Sequence, residues 1–175
     1  MTQKTTPGAV TYRTHRPGDV GWILQRHGVV YAEEYDLNEH FEALIARILA
    51  DFLDNYDAAR ERCWIAEREG DKLGTISIVK DSKDTDAARI RLLLVEPAAR
   101  GLGVGSTLVR MCVDFAREAG YKRVVLLTQS VLTGAIRLYQ AAGFRLIEEG
   151  GPVGFSQRSQ GRWLTWQLDL DRAEL

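Results

Sequence analysis

The chain has 175 residues, of which 45% are hydrophobic and 27% charged, proportions that exclude a disordered segment or a fibrous repeat. One domain spanning 1–175 accommodates that length, and a domain of this size buries roughly 70 % of the surface its unfolded chain exposes. A net charge of −1 and a pI near 6.3 exclude a surface built to neutralise phosphate backbone, so direct nucleic-acid binding is not expected.

Val10 to Thr14 is a β-branched and aromatic run that stops at Arg16-Pro17-Gly18-Asp19, so it reads as a first strand and a turn. From Val20, the apolar residues Trp22, Ile23, Leu24, Val29, Val30 and Tyr31 recur loosely at helical spacing. Gly28 weakens the middle, leaving one interrupted helix or two. Asn38 caps a clearer helix in which Phe41, Leu44, Ile45, Ile48, Leu49, Phe52 and Leu53 share one face. Arg62 to Glu67 and Lys72 to Val79 flank Arg68-Glu69-Gly70-Asp71 as an antiparallel hairpin, and a further strand from about Ala88 ends at Val95 before Pro97.

A glycine-rich turn follows, then a helix with Leu108, Met111, Cys112, Phe115 and Ala119 on one side, stopped by Gly120. Val124 to Leu127 is a short buried strand, compatible with a parallel pairing to the strand ending at Val95. Leu132 to Ala142 is helical, and Gly143 to Ile147 and Trp163 to Leu168 are strands separated by a polar loop. Helices interspersed among these strands imply a mixed sheet with helices packed on it.

No apolar run nears the ~20 residues of a membrane span. Met1 to Pro7 lacks a signal-peptide core, so a cytoplasmic protein without membrane attachment is expected. Cys63 and Cys112 have no metal spacing and fit small core residues; His15, His27 and His40 form no HxxxH pattern, so no metal is expected. Trp64, Trp163 and Trp166 fit the core or an interface.

The chemistry concentrates at Arg100-Gly101-Leu102-Gly103-Val104-Gly105-Ser106, which joins an apolar strand to an amphipathic helix. Free amides and the helix dipole make such a helix start a cradle for anions, and glycine removes the Cβ that would block a phosphate. Arg100 adds a charge-assisted contact. Ser106 occupies the last position of a GxGxxG dinucleotide pattern, and no Lys follows the glycines as a phosphate loop of nucleotide hydrolases requires, so both nucleotide alternatives lose support.

Arg100 to Gly105 resembles the Arg/Gln-x-x-Gly-x-Gly/Ala signature of the GNAT acetyltransferase superfamily. Leu138-Tyr139-Gln140-Ala141-Ala142-Gly143-Phe144 is similar to that family's LYxxxGF segment. Arg16 to Gly28 and Arg60 to Glu67 resemble more closely the acetyltransferase halves fused to MarR-type regulators. The resemblance implies an α/β (α+β) fold with a mixed, mainly antiparallel sheet of about seven strands and about four helices. It also implies acetyl-CoA as acyl donor and direct attack by a small-molecule or peptide amine. A homodimer stays open.

On the family pattern, pantetheine pairs with backbone at Leu94 and Val95, and Tyr139 is the candidate general acid toward the departing thiolate. His27 and Glu34, in a region that borders the acceptor site in relatives, are the candidate bases. Two departures stand out: Leu132 where many members carry Asn, with Gln129 or Ser130 as the candidate replacement, and Arg89 and Arg91 where some members carry a catalytic Glu. Those departures motivate the alternative of a non-catalytic acyl-CoA-binding domain.

Overall fold

A computed structural model describes residues 8–158 and 160–170. The stretch Met1 to Pro7, noted above for lacking a signal-peptide core, lies outside them. The elements run β1 (Thr11–Thr14), α1 (Asp19–Tyr35), α2 (Glu39–Asp54), β2 (Arg62–Arg68), β3 (Asp71–Lys80), β4 (Ala87–Val95), α3 (Val104–Glu118), β5 (Arg123–Gln129), α4 (Thr133–Ala141), β6 (Arg145–Pro152) and β7 (Arg162–Asp169). One seven-stranded sheet holds the order β1-β2-β3-β4-β5-β7-β6. Only the β4/β5 pair is parallel, because its connection carries α3 across the sheet face.

β2 shows how the sheet divides two cores. Side chains alternate along a strand, so Cys63 and Ile65 face α1 and α2, where Ile23, Phe41, Ile45, Leu49 and Phe52 pack. Trp64 and Ala66 face α3, where Leu108, Cys112 and Phe115 pack with Ile76, Ile78 and Ile90. Cys63 and Cys112 are both buried as free thiols on opposite faces.

α1 is continuous through Gly28, which resolves the one-or-two-helix ambiguity. A Cβ on Gly28 would sit 3.0 Å from the Glu42 carboxyl carbon, so this glycine lies against the end of a side chain from α2 and does not break the helix. The start of α1 is fixed by Asp19, which is 2 % exposed and accepts from Arg13 at 2.6 Å, from the Arg16 amide at 2.7 Å and from Lys72 at 2.9 Å. Burial alone would raise the Asp19 carboxyl, but the Arg13 and Lys72 contacts outweigh it and hold the group well below the ordinary carboxylate range.

The Asn38 side chain accepts the His40 amide at 3.0 Å, as its capping position predicts. Three details differ from the sequence expectation. Leu53 is 49% exposed because α2 rotates it off the buried face. The hairpin turn is only Glu69-Gly70, with φ of 53° and 88°, the paired left-handed geometry that matches strand twist. β6 extends past Ile147 to Pro152 as an exposed edge strand paired to β7 alone.

Candidate active site

The site begins with a defect in β4. Its pairing to β3 steps from Arg91↔Ser77 to Leu94↔Thr75, so Leu92 and Leu93 stand against the single residue Ile76. Leu92 takes φ 56°, a left-handed conformation costly for a branched side chain, and the resulting bulge bends the strand. The parallel pairing with β5 accordingly ends at Ile90↔Leu126, while β5 continues beside β7 as far as Gln129↔Trp163. Beyond that fork, Leu93 to Val95 have no strand partner on the β5 side. Tyr31 of α1 donates to the Leu93 carbonyl at 3.3 Å across the gap.

Two adjoining cavities occupy the fork. A cleft of about 550 Å³ is lined by Leu94, Val95, Arg100, Gly101 and Gly103 to Ser106, with α4 opposite. Leu102 is the one member of the turn outside that lining, its side chain 49% exposed. Gly101 and Gly103 have φ of 82° and 78°, which explains why glycine occupies both. No side chain caps the start of α3, so the amides of its first turn point out unsatisfied. Ser106 donates instead to the Gly103 carbonyl at 3.0 Å and fixes the turn.

The second cavity, about 320 Å³, lies deeper between β4, β5, α1 and α2 and shares Tyr31, Leu93, Leu132 and Ala135 with the cleft. Its walls are largely apolar, with Phe41, Leu44, Ile48 and Trp163, and Phe155 packs edge-on to both Phe41 and Trp163 to close one side. His27, Arg89, Arg91, Gln129 and Tyr139 also reach it.

Tyr139 and His27 thus share one cavity, whereas Glu34 stands apart from both. Tyr139 is 5% exposed, lines the deeper cavity and packs against Phe144; burial pushes its phenol far above the ordinary value, so it holds its proton at neutral pH. His27 is 1 % exposed and stacks on Tyr31. Its Nδ1 lies 2.8 Å from the Ile23 carbonyl, and since a carbonyl only accepts, Nδ1 carries the hydrogen and Nε2 keeps a lone pair. Burial lowers its pKa to about 4. Glu34 lines neither cavity: its carboxylate is 2.9 Å from Arg100 at the rim of the cleft. That pair, with Arg26 bidentate on Glu96 at 2.6 and 2.9 Å, straps α1 to the strand end and the glycine turn.

Of the candidate replacements for the missing Asn, Ser130 is engaged with β7, accepting the Arg162 amide at 2.9 Å, whereas Gln129 lines the deeper cavity with its Oε1 buried and unpartnered. Leu132 sits at the N-terminal boundary of α4 and faces both cavities. Among the described residues no group of His, Cys, Asp and Glu is arranged to hold a metal ion, and no helix is long and apolar enough to cross a membrane. Sequence patterns assign no site role to Arg91 or Trp163, which only the fork brings to the cavity, and offer Gln129 only as one of two replacements for the absent Asn.

Known proteins resemble this chain in sequence and in fold. The chain is 35% identical over 127 residues to N-acetyltransferase 8 of Mus musculus, covering 70% of this chain and 52% of the relative. It is 31% identical over 116 residues to the protein described as a probable N-acetyltransferase camello of Xenopus tropicalis, covering 63% and 53%. The chain therefore spans about half the length of these curated relatives. In fold it is similar to yncA of Salmonella typhimurium, solved with its cofactor acetyl-CoA, at a TM-score of 0.74 and 19% identity over 96% of this chain and 98% of that one. An N-acetyltransferase of Staphylococcus aureus Mu50 gives 0.76 at 18% identity, covering 94% and 100%. The Acetyltransferase (GNAT) family model matches residues 26–144, from α1 through the glycine turn to Phe144, and the chain belongs to that family.

Proposed function

We propose that the protein transfers an acetyl group from acetyl-CoA to an amine. The observation that carries this reading is the fork itself: a cleft at the glycine turn continues along the unpaired edge of β4 into a second, largely apolar cavity. Arg100 and the amides of Gly101 and of Gly103 to Ser106 would hold the pyrophosphate, and Leu94 and Val95 the pantetheine arm. The thioester carbonyl then lies where the two cavities meet, beside backbone amides suited to a developing oxyanion.

The amine nitrogen attacks that carbonyl, the C–S bond breaks, and the thiolate takes a proton. Tyr139, kept protonated by burial, is the proposed donor. His27, held neutral with a pKa of about 4, is a weak base and suits accepting a hydrogen bond from the amine, so the amine's proton leaves mainly through solvent. Glu34 is proposed to position Arg100 through their ion pair.

Several finer readings belong to the same proposal. Residues 1–175 form one domain; kinship with acetyltransferase halves of MarR-fused regulators is supported by the Arg16 to Gly28 and Arg60 to Glu67 segments. Two buried free thiols and the balanced charge agree with a cytoplasmic protein that binds no nucleic acid, and a homodimer is to be checked by light scattering. The deciding experiment is release of free thiol from acetyl-CoA against an amine panel. Amine-dependent release supports transfer. CoA binding without release by any amine refutes it and favours a non-catalytic acyl-CoA-binding domain.

A further inference from the structure

Arg91 carries a charge that nothing beside it neutralises. On β4 the neighbouring Arg89 is paired with Asp81 at 2.6 Å, whereas Arg91 has no carboxylate within ion-pair distance and no hydrogen-bond acceptor among the described residues. Asp51 and Asp81 are near enough to favour its charge, but burial and the repulsion from Arg89 prevail and lower its pKa. Arg91 stands between the deeper cavity and a smaller pocket that Asp51, Ser77 and Ser82 also line; an unpaired guanidinium there is expensive, and a ligand anion offsets that cost.

The same cavity presents two further unmet groups. Nε2 of His27 and Oε1 of Gln129 are both buried without a partner, and both are acceptors, the first because Nδ1 holds the ring hydrogen. Among the described residues the cavity thus holds one free cation and two orphaned acceptors between walls of Phe41, Leu44 and Trp163, which complements a molecule with an anion, an N–H donor group and an apolar body.

We propose that the acceptor is an apolar amino-acid-type molecule whose carboxylate pairs with Arg91 while its amine donates to Gln129 Oε1 and His27 Nε2. This inference builds on the acetyl-transfer reading and names its substrate class. Arg91 is then a specificity residue: it holds the carboxylate, and the amine faces the shared opening at Leu93 and Leu132 where the thioester would arrive. A peptide amino terminus offers the amine without the adjacent carboxylate, and a simple alkylamine offers neither the carboxylate nor an amide.

The test compares L-phenylalanine, L-phenylalaninamide and 2-phenylethylamine, the amide standing for a peptide-type acceptor. Thiol release from acetyl-CoA and calorimetric binding to the CoA-loaded full chain are both measured. Wild type is expected to prefer the free acid by about 10- to 100-fold in kcat/KM, the range of a charge-assisted contact. Arg91→Gln should bring the acid-to-amide ratio toward one, and Arg91→Lys should retain part of it. Equal use of acid and amide by wild type overturns the proposal, as does an unchanged ratio in a folded Arg91→Gln variant. Should no amine be acetylated, binding of the acid that Arg91→Gln abolishes upholds the carboxylate site while refuting transfer; absence of acid binding refutes the site itself.

Discussion

Gly103→Glu separates the cofactor cradle from the fold that carries it. At φ 78° a side chain on residue 103 is strained, but its Cβ meets only the Ser106 hydroxyl, 3.9 Å away, so packing is not disturbed. The strain costs ~1–2 kcal/mol against a typical stability of ~5–15 kcal/mol, so the variant should fold. A carboxylate ~4 Å from a pyrophosphate charge opposes it by ~4 kcal/mol at an effective dielectric near 20. Even if rotation away from the phosphate halves that term, CoA affinity should fall by about 30-fold or more. Gly103→Ala carries the same strain without the charge and should lose a similar amount of Tm with a much smaller change in Kd. Calorimetric titration with CoA, paired with thermal melts of all three proteins, reads both quantities. A folded Gly103→Glu variant with wild-type Kd would place the pyrophosphate elsewhere.

Substitutions at three other positions probe distinct links. Tyr139→Phe keeps the ring and deletes the proton donor, so kcat should drop by about 10²- to 10⁴-fold with CoA affinity unchanged; near-wild-type kcat across pH, with chemistry rate-limiting, removes Tyr139 from the mechanism. Asp19→Ala leaves Arg13 and Lys72 facing a buried gap and should cost ~3–5 kcal/mol in urea unfolding. Because the folded Asp19 carboxyl is held below its unfolded value, its stabilisation is complete above about pH 4 and is lost as pH falls through the folded value; an Asp19→Asn protein should show a flatter acid limb, and an identical limb contradicts the assignment. Gly28→Ala should raise Tm by up to a few degrees, since the helix gains ~1 kcal/mol and only the mobile end of Glu42 must shift; a lower Tm would mean that Glu42 cannot move.

Periodicity exposed the elements wherever one face alone is buried, as along α3, and wherever a strand is bounded by turn residues, as at β2 and β3. It faltered at Gly28 because a glycine lowers helix propensity locally, whereas packing of α1 against its neighbours carries the helix through it. It also shortened β6, whose exposed residues Arg145 to Pro152 lack alternation because neither face is covered. Leu53 fits the helical pattern of α2 yet stays outside, beside the buried stripe of Phe41, Ile45, Leu49 and Phe52.

The candidate site divides along the same line between local and non-local causes. The glycine turn is a local device: conformations at 101 and 103 that demand glycine, amides with no acceptor, and an arginine beside them occupy one continuous segment. The deeper cavity has no such segment. It exists because one extra residue in β4, at Leu92 and Leu93, bends the strand where it leaves β5, and sequence alone shows there only an aliphatic run. Once the strands part, residues distant in the chain become neighbours: His27 from α1, Arg91 from β4, Gln129 from β5 and Trp163 from β7. Arg89 and Arg91 look equivalent in sequence, two positions apart on one face of one strand, yet Asp81 neutralises the first and leaves the second charged. That difference, invisible to any pattern of spacing, is what converts an absent catalytic Glu into an argument about which acceptor the cavity can hold.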